Sequence, residues 1–476
     1  MLFNSGDFFF FFIAVYLLYV KLPHRGQNIL LLVASYFFYG YWDVRFLALI
    51  FISTIVDYTA GLVIHRHKLS HNEKLAKRWM LLSVAVNLGI LGTFKYFNFF
   101  AESFTDFAHL FGWEVSYTTL KIILPAGISF YTFQTMSYSL DIYRGSLKPT
   151  KHFFDFALFV SFFPQLMAGP IERARRLLPQ IQKPRVITPQ YLTEGSWLIL
   201  WGVFKKVFIA DNLAPLSYWS VISTQSDAAG DLYVGMLAFA AQFYCDFSGY
   251  SDMARGLAFV MGFKLTLNFN LPYFATNPAA FWQRWHITLS SWLRDYCYGP
   301  IVKSRLIAGN KSLALILTMA IAGFWHGAGW RFILWGGLWG SAMIAYRFLI
   351  PTISHFKKKG KWVSNILGIS GAMFTVSLWM LVGLIFVTPE IPDALNSITL
   401  LFTDWSTSAH TLVDLKTVLY YIWPLVLMQI AQFYSKNLYV VLTWPYLIRL
   451  SVYSMLLFLL ITSGAEGGAE FIYFQF

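Results

Sequence analysis

Long apolar runs recur along this chain from Phe8 to Leu460, and no long polar stretch separates them. Hydrophobic residues make up 57% of the 476 residues and charged residues only 12%. Soluble domains carry roughly 25% charged residues, so a soluble multidomain protein is excluded. The pattern predicts a polytopic membrane protein of the all-α class, in which residues 1–476 form a single integral-membrane domain.

A membrane-spanning helix needs about 20 mostly apolar residues, or about 17 where flanking side chains reach the interface. About twelve segments of the chain are candidates, although several are short for a full crossing. They lie near residues 8–20, 28–42, 47–64, 79–97, 119–140, 191–210, 232–260, 312–326, 331–350, 364–388, 415–434 and 447–463.

The loops between these segments alternate in charge. Segments 98–118, 211–231 and 389–414 carry Asp and Glu but no Lys or Arg, whereas the alternate loops are basic, for example at 173–185 and 357–361. Because Lys and Arg accumulate in cytoplasmic loops, both termini are predicted to lie outside the cytoplasm. The net charge of 36 − 23 = +13 therefore reflects topology, and no nucleic-acid partner is expected.

Two segments do not fit a simple series of crossings. Residues 152–168 are apolar but have basic segments on both sides, which favours a re-entrant or interfacial hairpin broken at Pro164 and at the Gly-Pro pair that follows. Lys205 and Lys206 fall inside the segment 191–210. Either these side chains extend to the interface, or this helix lies partly in the interface.

Polar side chains inside apolar segments are costly and point to function by default. The first group, in residues 243–256, comprises Asp246, Asp252 and Arg255. Its structural interpretation is a helix break held by an Asp–Arg pair.

The second group lies on a helix predicted over residues 277–300, with Asn277 as N-cap, Pro278 in the first turn and Gly299-Pro300 as its end. One stripe of this helix is aromatic and typical of Trp anchors at a membrane interface. The adjoining stripe holds residues at spacings of three and four that offer an imidazole, a hydroxyl and a cation: Gln283, His286, Ser290 and Arg294. For His286, a functional and a structural role are both open.

The third group surrounds His326 in residues 320–340. Gly323, Gly327 and Gly329 flank this histidine and allow backbone or substrate to approach closely. A histidine among apolar helices is expected to have a lowered pKa, to be neutral at pH 7 and to accept a proton. The alternative is a histidine whose hydrogen bonds are satisfied by a neighbouring carbonyl.

Other chemistry-bearing residues give weaker patterns. Three histidines in a basic loop, His65, His67 and His71, have only Glu73 nearby, so no metal site is predicted. An acyl relay through Cys297 lacks a base at a recognisable spacing. The chain contains no phosphate-binding glycine loop, no Walker-type Lys and no GxSxG motif, which argues against ATP-driven chemistry.

Five blocks in order resemble the membrane-bound O-acyltransferase family, in the branch that contains the membrane subunit of bacterial alginate O-acetyltransferase. They span about residues 120–340 and read GISFYTFQTMSYSLDIYRG (127–145), FFPQLMAGPIER (162–173), FYCDFSGYSDMARG (243–256), FNLPYFATNPAAFWQRWHITLSSWLRDY (269–296) and GFWHGAGW (323–330).

The resemblance implies that His326 is the essential catalytic residue and that His286 is the second characteristic polar position. It implies a ring of tilted helices around a thin centre, where a tunnel admits the acyl donor from the cytoplasm and the acceptor from the other face. From this we predict that His326 is the general base for an acceptor hydroxyl or for a nucleophilic serine of a partner. His286, with Gln283 or Ser290 beside it, is predicted to orient the donor or stabilise the oxyanion. Arg294 and nearby Lys residues are predicted to hold the phosphates of coenzyme A.

The same resemblance predicts an enzyme of the bacterial inner membrane that moves acetyl from a thioester donor, acetyl-CoA, without a permanently bound cofactor. The expected partners are membrane lipid, periplasmic acetyltransferase proteins and a polysaccharide synthase complex, and the acceptor is an alginate-like polymer or cellulose. Alternatives are D-alanyl or other acyl transfer to teichoic acid or peptidoglycan, a proton-coupled transporter, and an inactive scaffold for a polymer synthase.

Overall fold

The computed structural model describes residues 1–115, 119–120, 123–167, 169–218, 221, 228–467 and 471. Within these residues the secondary structure is helical and no strand occurs, so the predicted all-α class is confirmed. The chain forms two compact units, the first made of residues 1–199 and 253–266 and the second of residues 200–252 and 267–476.

The first unit contains the helices of the N-terminal part of the chain. They are α1 (Gly6–Tyr19), α2 (His24–Gly40), α3 (Leu47–Leu69), α4 (Glu73–Leu91), α5 (Phe97–Leu110), α6 (Ile128–Tyr143), α7 (Phe153–Ser161), α8 (Phe163–Leu166), α9 (Ala174–Gln182) and most of α10 (Pro189–Val203). A short 3₁₀ turn, Val44–Phe46, precedes α3, and a π-helical turn, Gly92–Tyr96, joins α4 to α5.

The second unit contains the remaining helices. They are α11 (Asp211–Ser217), α12 (Ala229–Val260, which enters the first unit at Met253), α13 (Pro278–Trp282), α14 (Ile287–Leu293), α15 (Gly299–Lys303), α16 (Lys311–His326), α17 (Trp330–Lys357), α18 (Lys361–Val387), α19 (Ile391–Thr403), α20 (Thr411–Ser435) and α21 (Tyr446–Ser463). Two π-helical turns, Phe204–Ala210 and Arg294–Tyr298, lead into α11 and α15.

Six helical segments of the described chain are long and apolar enough to cross a membrane. They are Val44–Leu69, Glu73–Leu110, Trp330–Lys357, Lys361–Val387, Thr411–Ser435 and Tyr446–Ser463, and two shorter apolar helices are Gly6–Tyr19 and Lys311–His326. A helix covers most of each of the twelve predicted segments. In the part of the chain that the structure describes, six segments meet the length and composition of a span, so the count of about twelve stays a prediction.

The helix of the fourth segment extends beyond the predicted end of the span at residue 97. Through the π-helical turn, α4 continues into α5, and the helix ends at Leu110. Exposed phenylalanines at positions 97, 100, 104 and 107 recur every three or four residues, so one face stays apolar beyond the point where the acidic residues begin. The first part of the predicted loop 98–118 is therefore helical.

The segment predicted as a hairpin consists of two short helices, α7 and α8. Together they hold 13 residues, about 20 Å of helix, whereas a crossing needs about 30 Å. The chain turns at Phe162, and Pro164 lies in the first turn of α8, where a missing N–H costs nothing. The break is thus placed two residues before the predicted one, and Ala168 lies outside the described residues.

In the first unit, a buried carboxylate joins three helices. Asp57 of α3 accepts hydrogen bonds from Ser83 Oγ and Asn87 Nδ2 of α4 and from Ser139 Oγ of α6, the last two at 2.7 Å. Asp57, Ser83 and Ser139 have no exposed surface. Because every donor is neutral, the helices are held together by hydrogen bonds rather than by an ion pair.

In the second unit, Lys205 and Lys206 pair with acidic residues of α11 and α12. Lys205 Nζ lies 2.7 Å from Asp252 Oδ2, and Lys206 Nζ lies 2.8 Å from Asp246 Oδ1 and 2.9 Å from Asp211 Oδ1. The two lysine side chains are 2% and 1% exposed, so neither reaches the interface.

These pairs correct the interpretation of residues 243–256. No break occurs there, because α12 is continuous from Ala229 to Val260, and Asp252 and Asp246 pair with Lys205 and Lys206, which the interpretation of the sequence did not include. The π-helical turn Phe204–Ala210 directs consecutive lysines to different carboxylates on one helix.

Glycines bring α16 and α17 into close contact, which positions His326 at the end of α16. A Cβ at Gly323 would overlap the carbonyl oxygen of Phe332, one at Gly336 would overlap that of Met319, and one at Gly340 would lie 2.9 Å from Ile316 Cα. Only glycine allows the two backbones to approach so closely. The predicted close approach is confirmed for Gly323.

Replacing Lys205 by methionine removes the cation that lies 2.7 Å from Asp252 Oδ2. Because removal of one partner from a buried pair costs about 3–5 kcal/mol, we expect Lys205→Met to lower the free energy of unfolding by that amount. The double variant Lys205→Met/Asp252→Asn should recover most of the loss, measured by thermal unfolding in detergent. Equal loss in the single and double variants would contradict a role for the ion pair.

Gly336 and Gly337 of α17 provide a test of the close helix packing, since only the first faces α16 closely. We expect Gly336→Ala to destabilise the protein by about 1–3 kcal/mol, since the new methyl group meets the Met319 backbone. Gly337→Ala should be neutral or stabilising, because nothing lies within 4 Å of that position. The unfolding midpoints of the two variants measure the difference, and equal midpoints would contradict the close packing of the helices.

Candidate active site

His326 is the last residue of α16 and lies among aromatic rings of three helices. Its imidazole is 4.8 Å from the Trp325 ring, 5.3 Å from Trp335 of α17 and 5.5 Å from Phe386 of α18, measured between centroids. All three contacts are edge-on, with interplanar angles of 76–82°. The residue is 4% exposed, so its surroundings are nearly dry.

A small cavity lies beside this imidazole, with a volume of about 10 Å³. This is room for one water-sized group. Its lining consists of His326, Gly383 and six aromatic residues, which are Phe239, Phe243, Trp285, Trp335, Trp379 and Phe386. His326 is therefore the titratable side chain that borders the space, as a general acid or base must.

The indole of Trp335 also borders the cavity and is 2% exposed. Its Nε1–H has no hydrogen-bond partner among the residues that the structure describes. A buried N–H normally has a partner, so this donor is suited to an oxygen atom that enters with a substrate.

His286 lies between α13 and α14 and has a left-handed backbone, with φ 42° and ψ 54°. This conformation is uncommon for a residue with a side chain, although histidine tolerates it better than most, and it often marks functional positions. The side chain is fully buried. His286 lies outside the six candidate spans, and burial lowers its pKa to about 3, so the imidazole is neutral at pH 7.

Asn268 orients this imidazole. Its Oδ1 accepts hydrogen bonds from the backbone N–H of Thr288 (3.3 Å) and from Thr288 Oγ1 (2.9 Å), and His286 Nδ1 is 3.1 Å away. Because this oxygen only accepts, Nδ1 carries the proton and donates. Asn268 Nδ2 donates in turn to Ser251 Oγ on α12 at 3.1 Å.

The two histidines meet the same aromatic cluster. The Trp325 ring lies 5.9 Å from His286 and 4.8 Å from His326, and Trp285, which precedes His286, lines the cavity. The structure thus brings together the two histidines that the sequence singles out, although only His326 borders the cavity.

The predicted continuous helix over residues 277–300 is wrong, whereas its start is confirmed. Asn277 caps α13 by accepting from the Ala280 N–H at 2.8 Å. The helix then stops at Trp282, resumes at Ile287 and continues past Gly299-Pro300 to Lys303. Backbone hydrogen bonds with residues 268 and 270 replace the helical ones at the break.

The break separates the residues that a continuous helix would align. Gln283 is exposed, Ser290 is half-buried with its Oγ donating to the Trp285 carbonyl at 3.3 Å, and Arg294 is 68% exposed with its Nε donating to Asp295 at 2.9 Å. None of these three lines the cavity, and their role in donor binding stays a prediction.

The expected interfacial Trp anchors are also wrong. Trp282, Trp285 and Trp292 are 8%, 1% and 4% exposed, because they pack against other helices and loops of the second unit.

For Cys297, outside the candidate spans, burial raises the thiol pKa to about 11, which disfavours the thiolate that an acyl relay needs. Among the described residues, no three His, Cys, Asp or Glu side chains form a group able to hold a metal ion.

Several site residues were missed by the sequence analysis. Asn268 is a polar residue in the mainly apolar run 265–275, and this is the signal that could have identified it. Phe386 lies in the region after residue 350, whose sequence is simply apolar. Its position beside His326 depends on the packing of α18, which no local pattern predicts.

Comparison with known proteins is consistent with this site. The model of the membrane-bound O-acyltransferase family matches residues 148–388, which contain both histidines. A probable alginate O-acetylase of Azotobacter vinelandii is 43% identical over 350 residues, covering 73% of this chain and 69% of that protein. A peptidoglycan O-acetyltransferase of Helicobacter pylori is 37% identical over 383 residues, covering 73% and 70%. A teichoic acid D-alanyltransferase of Bacillus subtilis is 29% identical over 257 residues, covering 52% and 63%.

Proposed function

The chain belongs to the membrane-bound O-acyltransferase family, and from this premise we propose that it moves an acetyl group from cytoplasmic acetyl-CoA across the membrane to an exported or cell-surface polysaccharide. The observation that carries the proposal is the position of His326, the titratable side chain at a dry aromatic cavity. An acyltransferase needs a proton acceptor in such a place, because the attacking hydroxyl must lose its proton.

Two relatives support acetyl as the transferred group and a polymer as the acceptor. The proteins from A. vinelandii and H. pylori are named for O-acetylation of alginate and of peptidoglycan. We therefore favour an alginate-like polymer or cellulose. The second candidate is acyl transfer to peptidoglycan, for which the H. pylori relative is named, or D-alanyl transfer to teichoic acid, for which the more distant B. subtilis relative is named.

In the proposed reaction, His326 takes the proton of an acceptor hydroxyl, or of a serine on a partner protein, while the oxygen attacks the thioester carbonyl carbon. The new C–O ester bond forms, the C–S bond breaks, and the leaving thiolate takes the proton from His326. Positioned acid–base catalysis of this kind contributes about 10²–10⁴-fold to the rate.

The remaining residues support this step. The indole N–H of Trp335 donates to the carbonyl oxygen as negative charge develops on it. His286, held by Asn268, positions Trp285 at the cavity and packs against Trp325, which contacts His326. On the exposed side, Gln283, Ser290 and Arg294 hold the donor, with Arg294 at the phosphates of coenzyme A.

We place the protein in a bacterial inner membrane with both termini in the periplasm. About twelve crossings form a ring, and a central tunnel lets donor and acceptor reach His326 from opposite faces. Acetyl then passes to periplasmic acetyltransferase partners and a polysaccharide synthase complex. No permanently bound cofactor takes part.

Replacing His326 tests the proposal directly. We expect His326→Ala to lower the rate at which base-labile acetyl accumulates on the surface polysaccharide by about 10²–10⁴-fold. His286→Ala should lower this rate less, since that residue acts through its neighbours. Membrane levels are matched by immunoblot. His355→Ala, at an exposed histidine near the end of α17, serves as the control and should retain full acetylation. Unchanged acetyl in His326→Ala would contradict the catalytic assignment.

The indole N–H is tested by Trp335→Phe, which keeps an aromatic ring but removes the donor. Loss of one oxyanion donor lowers kcat by about 10²–10³-fold, so we expect that fall with little change in KM. Release of coenzyme A thiol by membranes containing the variant measures both constants. Trp362→Phe, at a tryptophan 76% exposed, is the matched control. A change in KM alone would contradict the assignment.

A further inference from the structure

The first unit contains a second cavity, of about 710 Å³, whose lining combines basic, polar and apolar residues. The first turn of α2 contributes His24 and Arg25 to its lining, and the segment before α7 contributes Lys151 and His152. Arg25, Lys151 and His152 are exposed, so a ligand from solvent can reach these residues at the cavity. Four such groups on two elements form a basic rim.

Buried polar groups form the floor of the cavity. Asn28, 7% exposed, donates from Nδ2 to Asp155 Oδ1 at 3.1 Å and to the Ile181 carbonyl at 3.0 Å, and its Oδ1 accepts from Arg185 at 2.6 Å. Asp155 is the one carboxylate of the lining, and it interacts electrostatically with Arg185. Its charge is thus opposed from within the protein, which leaves the rim net positive.

Exposed apolar side chains continue from this rim. Ile29 and Phe154 line the cavity and are 57% and 65% exposed. On α2, Val33 and Phe37 follow Ile29 at spacings of four and are 61% and 56% exposed. Residues four apart lie on one face of a helix, so Ile29, Val33 and Phe37 form an apolar stripe about 12 Å long.

We propose that this cavity and stripe bind an anionic phospholipid, with the phosphate at Arg25 and Lys151 and an acyl chain along Ile29, Val33 and Phe37. A basic pocket beside lipid-exposed helices on the cytoplasmic side is suited to an acidic head group. The stripe favours a lipid over a free phosphate compound, because a small anion gains nothing from exposed apolar side chains. The basic loops that hold Arg25 and Lys151 are the ones predicted to face the cytoplasm, where this leaflet lies.

The test counts the lipids that the purified full-length chain retains, by native mass spectrometry after reconstitution with phosphatidylglycerol and phosphatidylcholine at 1:3. We expect preferential retention of one phosphatidylglycerol, and about tenfold weaker retention in Arg25→Gln/Lys151→Gln. Lys357→Gln/Lys358→Gln removes the same charge from an exposed position at the end of α17 and should retain the lipid. No preference in the wild type, or equal loss in both variants, would overturn the proposal.

Two further arms distinguish the ligand. Glycerol 3-phosphate is added in excess to the loaded wild-type protein, and we expect no displacement of phosphatidylglycerol. Displacement at concentrations comparable to the lipid would overturn the lipid assignment in favour of a soluble phosphate. Phe154→Ala should weaken the retention of phosphatidylglycerol without changing how that retention depends on salt concentration. Retention equal to that of the wild type would exclude the apolar part of the site. Neither arm depends on acyl transfer.

Discussion

A charged side chain can leave water only if a counter-charge or several hydrogen-bond donors go with it. In the second unit this requirement places Lys205 against Asp252. The residue before Asp252 is Ser251, which accepts from Asn268, and Asn268 in turn holds His286. Ser251 and Asp252 are thus consecutive residues of α12, the first linked through Asn268 to an uncharged imidazole near the site and the second paired with a buried lysine.

The two histidines therefore have different surroundings. His286 is fixed by an amide and lies outside the cavity lining, whereas His326 borders the cavity and is surrounded mainly by rings. The backbone around His326 is fixed instead by close packing of α16 and α17 at Gly323 and Gly336. The site thus combines hydrogen bonds that orient His286 with aromatic side chains that exclude water from His326, and the proposed proton transfer from an acceptor hydroxyl to His326 would take place in that dry environment.

The parts of the fold and of the site that depend on neighbouring residues in the sequence can be predicted from the sequence. Apolar length predicts the helices, and the cap at Asn277 follows from its side chain alone. The helix break at His286 could not be predicted from the sequence. The backbone hydrogen bonds that replace the helical ones there involve residues 268 and 270, which approach only in the folded chain. The partners of Lys205 and Lys206 were missed for a similar reason. A π-helical turn shifts the direction of each side chain, and periodicity at 3.6 residues cannot anticipate it.

The size of the cavity beside His326 has a consequence for which acyl groups are accepted. Space for a single water molecule is bounded by six aromatic side chains, and such rings are displaced only by moving their helices. For the acyl transfer that we propose, each additional methylene on the acyl group would require more of that movement, so the packing would disfavour longer chains progressively. The same aromatic side chains that exclude water would then limit acyl chain length, through how far their helices can separate rather than through a residue that recognises the acyl end.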